Sequence, residues 1–189
     1  MTDLFVSDLH FSHANVIKYC NRPFKSAEEM DYKMIANWNA KVKQSDTIYI
    51  LGDVFMCDEL KAERILDQLN GQKILIYGNH DKVIKRSEAL RNKFVKCVDY
   101  LEITVPDLDA KHGKQFIVMS HYAMLVWNKS HHGSIMLHGH SHGTLKYPIE
   151  GKILDVGVDV HNYSPITYEE VKRIMRTKTS QFIDHHEHS

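Results

Sequence analysis

Short apolar runs that stop abruptly at polar residues set the rhythm of this chain. Leu4 to Val6 runs into Ser7 and Asp8, Ile48 to Leu51 into Gly52 and Asp53, and Ile74 to Tyr77 into Gly78 and Asn79. Runs this short and this uniformly apolar fit strands buried on both faces, as in a sheet covered by helices. Between them the spacing becomes helical. Ser26 and Glu29 form a capping-box pattern ahead of Met30, Met34, Ile35, Trp38 and Val42, which share one helical face. Ala62, Ile65, Leu66 and Leu69 make a second stripe, stopped by Asn70 and Gly71. Strand and helix therefore alternate through the first half.

The second half is richer in strands. Val95 to Val105 and Phe116 to Met119 flank a polar stretch from Pro106 to Lys114 and predict a hairpin, and Ile135 to Leu137 and Ile153 to Val160 predict further strands. Thr167 and Glu170 then cap a last helix that turns Val171, Ile174 and Met175 inward. No repeat or low-complexity linker interrupts the pattern. A chain of 189 residues and 22.0 kDa is thus expected to hold one domain over 1–180, with a frayed polar tail at 181–189.

Charge narrows the partners. Lys plus Arg and Asp plus Glu are 24 each, so no global positive field gathers nucleic acid or an anionic membrane, and an anionic substrate must be held by local groups. Cys20, Cys57 and Cys97 are an odd set without short paired spacing, which reads as free thiols in a reducing compartment. No apolar stretch approaches the roughly 18 residues that span a bilayer, and the start of the chain lacks a signal-peptide pattern. The expectation is a soluble protein of the cytoplasm.

Fourteen histidines are more than surface decoration supplies. The unusual polar residues fall in five segments, each just past an apolar run: Asp8 and His10 in SDLHFSH, Asp53 in LGDVF, Asn79, His80 and Asp81 in YGNHD, His121 in MSHY, and His138, His140 and His142 in LHGHSHG. Loops at the carboxyl ends of strands form the usual crevice of an α/β fold, so these segments are expected to converge. Gathering carboxylates and imidazoles without a cation costs several kcal/mol for each unpaired buried charge, whereas divalent ions turn the same groups into ligands. Mixed carboxylate, amide and imidazole donors without thiolates favour manganese, iron, zinc, nickel or cobalt.

The order of these segments, DxH, GD, GNHD, an isolated His and GHxH, resembles the calcineurin-like metallophosphoesterases. The resemblance implies an α/β fold of two mixed β-sheets packed as a sandwich and flanked by helices, without a separate cap domain. It further implies that Asp8, His10, Asp53 and His142 hold one divalent ion and Asp53, Asn79, His121 and His140 a second, with manganese the first choice of metal. A hydroxide bridging the pair would attack phosphorus. His80 would contact the phosphate and protonate the leaving oxygen as general acid, with Asp81 orienting its ring. His138 matches no ligand position and is left out of the set.

The opening DLHFSHANVIKYCNRPF and the block WNKSHHGSIMLHGHSHG look like a compact bacterial and phage subgroup of that family, which puts the protein in the cytoplasm of a bacterium or of a phage-infected host. GDVFMC and GNHD depart from the GDxxDRG and GNHE of the protein-phosphatase branch. The expected substrate is a small phosphodiester or phosphomonoester of nucleotide type. His13, Arg22, Trp127 and His131 are candidate substrate contacts beside Asn79, with Asn128 and His132 in the same stretch; loop packing is the competing reading for each. A nuclease is the alternative enzyme, disfavoured by the neutral charge balance. The remaining alternative is a non-enzymatic protein-binding scaffold, a role one retromer subunit gives the fold.

Overall fold

A computed structural model of the chain describes residues 2–146 and 151–179, so the expected tail at 181–189 lies outside the described residues. Two sheets carry the architecture. In the first, β1 (Asp3–Val6), β2 (Thr47–Ile50), β3 (Gln72–Ile76) and β4 (Lys96–Val98) are mutually parallel neighbours. The second contains β5 (Leu101–Pro106), β6 (Lys114–Met119), β7 (Ile135–His138) and β8 (Ile153–Asp155) in that order, with β5 antiparallel to β6 and the rest parallel. β9 (Ile166–Thr167) then returns to the first sheet, antiparallel to β1, giving the order β4-β3-β2-β1-β9. The helices are α1 (Ala14–Tyr19), α2 (Ala27–Lys41), α3 (Glu59–Leu66), α4 (Lys82–Arg86), α5 (Glu88–Arg91) and α6 (Tyr168–Met175).

The strand residues divide between two cores by their period of two. Leu4 and Val6, Ile48 and Ile50, and Leu75 pack against Met30, Met34 and Trp38 of α2 and Ala62, Ile65 and Leu66 of α3. Phe5, Tyr49, Leu51 and Ile76 face the opposite way and meet Val105, Ile117, Met119, Ile135 and Leu137 of the second sheet, with Val171 and Met175 of α6 closing this layer. The first-sheet runs lack alternation because both of their faces are buried. On the far side of the second sheet, Val118 and Met136 pack against Trp127 and Ile153.

Two helix starts behave differently although both carry the capping pattern. Before α6 the box is complete: Glu170 N donates to Thr167 Oγ1 at 3.2 Å, and Thr167 N donates to Glu170 Oε2 at 2.7 Å. Before α2 only half forms. Ser26 accepts from Glu29 N at 3.2 Å, but the Glu29 carboxylate reaches one residue further back and accepts from Lys25 N at 2.7 Å.

The predicted hairpin is present, with Pro106 opposite Lys114, but its first arm is not a single strand. Val95 to Val105 supplies β4 to the first sheet, turns at Asp99 and Tyr100, and continues as β5 in the second. Ile153 to Val160 is also interrupted. β8 stops at Asp155, Gly157 makes an isolated parallel bridge with Ser7, and Val158–Val160 is a 3-10 turn. The bridge consists of Ser7 N donating to Val156 O and Val158 N donating to Ser7 O, both at 3.0 Å. It ties the carboxyl end of β1 to that of β8, so the two sheets share one working edge. No helix among the described residues is long and apolar enough to cross a membrane.

Trp38 is fully buried and donates its indole N–H to Asn70 O at 2.9 Å, joining α2 to the turn before β3. Trp38→Ala removes both the packing and the tie, and is expected to cost about 3 to 5 kcal/mol, read in urea as a lower midpoint with an unchanged slope.

Candidate metal centre

All five polar segments leave the carboxyl ends of strands that point to the shared edge: Asp8 and His10 follow β1, Asp53 follows β2, Asn79 to Asp81 follow β3, His121 follows β6, and His140 and His142 follow β7. Backbone hydrogen bonds continue the pairing into these loops. Asp8 N donates to Gly52 O at 3.1 Å, His10 N to Asp53 O at 2.9 Å, and Gly139 N to His121 O at 3.0 Å. The approach is close enough to need glycine. Gly52 has φ +90°, and a Cβ there would lie 2.5 Å from Gly78 N and 2.7 Å from His121 Nδ1; a Cβ on Gly139 would lie 1.8 Å from Ser7 Oγ.

The side chains gather into two groups. Ligand atoms of Asp8, His10 and His142 all lie within 4.8 Å of one another, and those of Asp53, His121 and His140 do the same. Asp53 joins the groups: its Oδ2 is 3.6 Å from His10 Nε2 and 3.5 Å from His121 Nε2. Its other oxygen accepts the backbone N–H of His80 at 2.8 Å. Asn79 Oδ1 sits 3.0 Å from His121 Nε2 and accepts the Tyr122 hydroxyl at 3.2 Å. The structure therefore brings together every residue that the resemblance assigned to the two ions.

His10 tests whether this cluster fits cations. It is 3% exposed, yet neither Nδ1 nor Nε2 has a hydrogen-bond partner. An orphaned buried imidazole is expensive unless something outside the protein satisfies it. Burial also drives its pKa down to about 2, with His142 and Arg22 adding repulsion, so the ring is neutral and its lone pair is available. Asp8, wholly buried, is pushed the other way by desolvation, to about 7. Burial likewise lowers His140. A neutral imidazole beside an expensively buried carboxylate is a donor set that a divalent ion would relieve.

The backbone carries strain at the same place. Asp8, His10, Asp53, His140 and His142 all have φ between 48° and 68°. This left-handed region is uncommon outside glycine, and its concentration in five of the ligand candidates points to function.

Several expected roles change. Asp81 does not orient the His80 ring: Oδ1 accepts from Val54 N at 2.9 Å, and Oδ2 accepts from Asp53 N at 3.0 Å and Gly78 N at 2.7 Å. It staples the loops after β2 and β3 and so sets the position of Asp53. His80 itself stands exposed at the mouth, its ring 5.5 Å from that of His10. His13 is half-buried, 5.3 Å from the His10 ring, with its Nδ1 buried and unpartnered.

Arg22 is not placed to meet a substrate. It is buried, with Nε and Nη2 donating to Asp159 Oδ1 and Oδ2, both at 2.8 Å, and its remaining donors reach Asp8 O at 2.7 Å and Leu9 O at 3.0 Å. Trp127 is core, donating to Ser134 O at 3.2 Å. Asn128 is held by the Glu102 carboxylate. His131 and His132 face each other at 3.9 Å and line a cleft with Lys114 and Gln115, at the start of β6. His121 lies past the other end of that strand, roughly 20 Å away at about 3.3 Å per residue. His138 is fully buried in β7, its Nδ1 2.8 Å from Gly139 O.

Asp159, in a GVD segment that resembles the family's usual ending but to which the sequence assigns no site role, has its Oδ2 2.7 Å from His142 Nδ1. Burial works against a charged His142 ring, but the bond to Asp159 and the field of Asp8 carry its pKa above the ordinary value. Cys20, His142 and Asp159 also approach one another within ligand distance. Both oxygens of that Asp are already taken by Arg22, which makes Asp159 a hydrogen-bonded support for His142. All three cysteines are free thiols.

The fold and the donors define a candidate two-cation site of nitrogen and oxygen ligands on the working edge of an α/β sandwich. The chain belongs to the calcineurin-like phosphoesterase family, whose model matches residues 1–155. It is 33% identical over 177 residues to an uncharacterized protein of Methanocaldococcus jannaschii, covering 90% of this chain and 89% of that one. It is 26% identical over 177 residues to the Gene 66 protein of Mycobacterium phage L5, covering 82% and 85%. The solved structure of the protein of unknown function AQ665 from Aquifex aeolicus superposes with a TM-score of 0.67 at 26% identity, covering 92% of this chain and 98% of that one.

The raised Asp8 pKa fixes a sign. The folded, metal-free protein holds this proton more tightly than the unfolded chain, so the group's contribution to stability is complete below the ordinary carboxylate range and is lost as pH rises through about 7. Asp8→Asn keeps an acceptor and removes the charge. In chelator at pH 8 the variant should melt above the wild type, while retaining less metal. A cation must also displace the proton, so wild-type metal affinity should fall about tenfold per pH unit below 7, measurable by calorimetry.

Proposed function

We propose that this protein hydrolyses a small phosphodiester or phosphomonoester of nucleotide type at two divalent cations. The observation that carries the reading is Asp53 Oδ2, lying between His10 Nε2 and His121 Nε2 at 3.6 and 3.5 Å, with an orphaned buried imidazole on one side. Asp8, His10, Asp53 and His142 would hold one cation, and Asp53, Asn79, His121 and His140 the other. Nitrogen and oxygen donors of this mixture accept manganese, iron, zinc, nickel or cobalt. When bound, such a pair supplies neutralisation of phosphoryl charge and an acidified water nucleophile.

The chain's own residues do the rest. Asp81 fixes the loop bearing Asp53, and Asp8, His10, Asp53, His140 and His142 are carried on backbone held in the left-handed region. His80 and His13 stand beside His10 on the open side, in position to donate to phosphoryl and leaving-group oxygens. Tyr19 packs edge-on against His13 and Tyr122 edge-on against His140, and both rings are exposed, 77% and 51%. They offer a heterocyclic base two stacking surfaces flanking the cluster, which supports a nucleotide over a simple alkyl phosphate.

The metal-reconstituted protein should turn over bis-p-nitrophenyl phosphate, p-nitrophenyl phosphate or cyclic nucleotides with at least one of manganese, nickel, cobalt, zinc or iron. Silence across that panel would sink the reading. Asp53→Ala should abolish turnover. His80→Ala should lower kcat by about a hundredfold to ten-thousandfold on a nucleotide ester, and by much less on p-nitrophenyl esters, whose leaving group departs without a proton.

A further inference from the structure

The two ligand groups rest on different supports. In one, His121 Nδ1 is 2.7 Å from the Leu51 carbonyl; in the other, His142 Nδ1 is 2.7 Å from the Asp159 carboxylate. A ring that gives its Nδ1 proton to an acceptor presents Nε2 bare to a cation, and a carboxylate acceptor makes that nitrogen the more basic donor. Asp159 is itself immobilised by a buried, two-pronged bond from Arg22, whose side chain is 0% exposed.

Arg22 reaches further. Its remaining N–H groups hold the carbonyls of Asp8 and Leu9, the backbone on which Asp8 and His10 are carried. One guanidinium thereby braces three of the four ligands proposed for one cation: Asp8 directly, His10 through Leu9, and His142 through Asp159. No hydrogen bond among the described residues links it to Asp53, His121 or His140.

Resting on the two-cation reading above, we propose that Arg22 and Asp159 are positioning residues for one cation only, the one that Asp8, His10 and His142 hold together with the shared Asp53, and leave the other cation's affinity untouched. An Arg–Asp pair of purely structural value would act on the whole domain and on both cations alike.

Manganese titration of the full-length protein separates the cases, by calorimetry and by electron paramagnetic resonance, which distinguishes coupled manganese pairs from isolated ions. Asp159→Asn keeps the shape and a hydrogen-bond acceptor but loses the charge, and Arg22→Lys keeps the charge but loses the fork. Each should weaken one binding event by about tenfold to a hundredfold, leave the second unchanged, and replace the coupled signal by that of isolated manganese at limiting metal. Asn79→Ala should do the mirror image, weakening the event that Asp159→Asn spares. Variants that weaken both events equally, or neither, overturn the assignment while the wild type still holds its pair. If Asp159→Asn fails to fold, Arg22→Lys decides by the same two readouts. A wild type that binds no manganese and no other divalent ion overturns the two-cation reading and this assignment together.

Discussion

A carboxylate sealed from water beside a neutral, unpartnered imidazole is the constraint on which this molecule turns. Asp8 has no exposed surface, and burial lifts its pKa to about 7. Solvent cannot repay the charge, and the buried Arg22 addresses the Asp8 carbonyl and spends its charge on Asp159. What the carboxylate does receive is the His140 backbone N–H, at 3.0 and 2.9 Å to its two oxygens. Much of the surrounding architecture serves to keep this unfavourable arrangement from relaxing: the Ser7–Gly157 bridge, the glycines that let loops touch, and the Asp81 staple. Energy stored in that way is the signature of a site built for a ligand rather than for stability.

Much of this was legible along the chain because the relevant grammar is local. Strands covered on both faces read as unbroken apolar runs, and the ligand-bearing segments follow those runs immediately, so Asp8, Asp53, Asn79, His121, His140 and His142 could be placed at strand ends before any coordinates. The capping signal at Thr167 was equally plain, since both partners lie within one turn. Val95 to Val105 was harder. Its apolar pattern is continuous, and nothing local at Asp99 and Tyr100 announces a change of sheet.

The residues whose roles shifted are those whose partners lie far away in sequence. Arg22 looked like a substrate contact because a lone arginine in a loop offers five donors; its carboxylate partner is 137 positions on, and no spacing rule connects the two. Trp127 and His131 shared a polar, aromatic stretch with the look of a binding loop, but Trp127 fills the far face of the second sheet, and His131 belongs to the opposite end of β6. Asp81 follows His80 directly, which invited pairing between neighbours, whereas the backbone turns its side chain inward to three amides. Adjacency in sequence was a poor guide once chain direction decided where a side chain could point.

The last strand has a consequence for how the molecule is made. β9 at Ile166–Thr167 pairs with β1, so one edge of β1 stays open until a segment far along the chain has been made and has returned to it. His142 and Asp159 also arrive late. Until those segments are in place, β1 offers an unpaired edge and the candidate cation group is incomplete. A cation taken up by the Asp8, His10 and His142 group would therefore have to enter a fold that is already nearly closed around it.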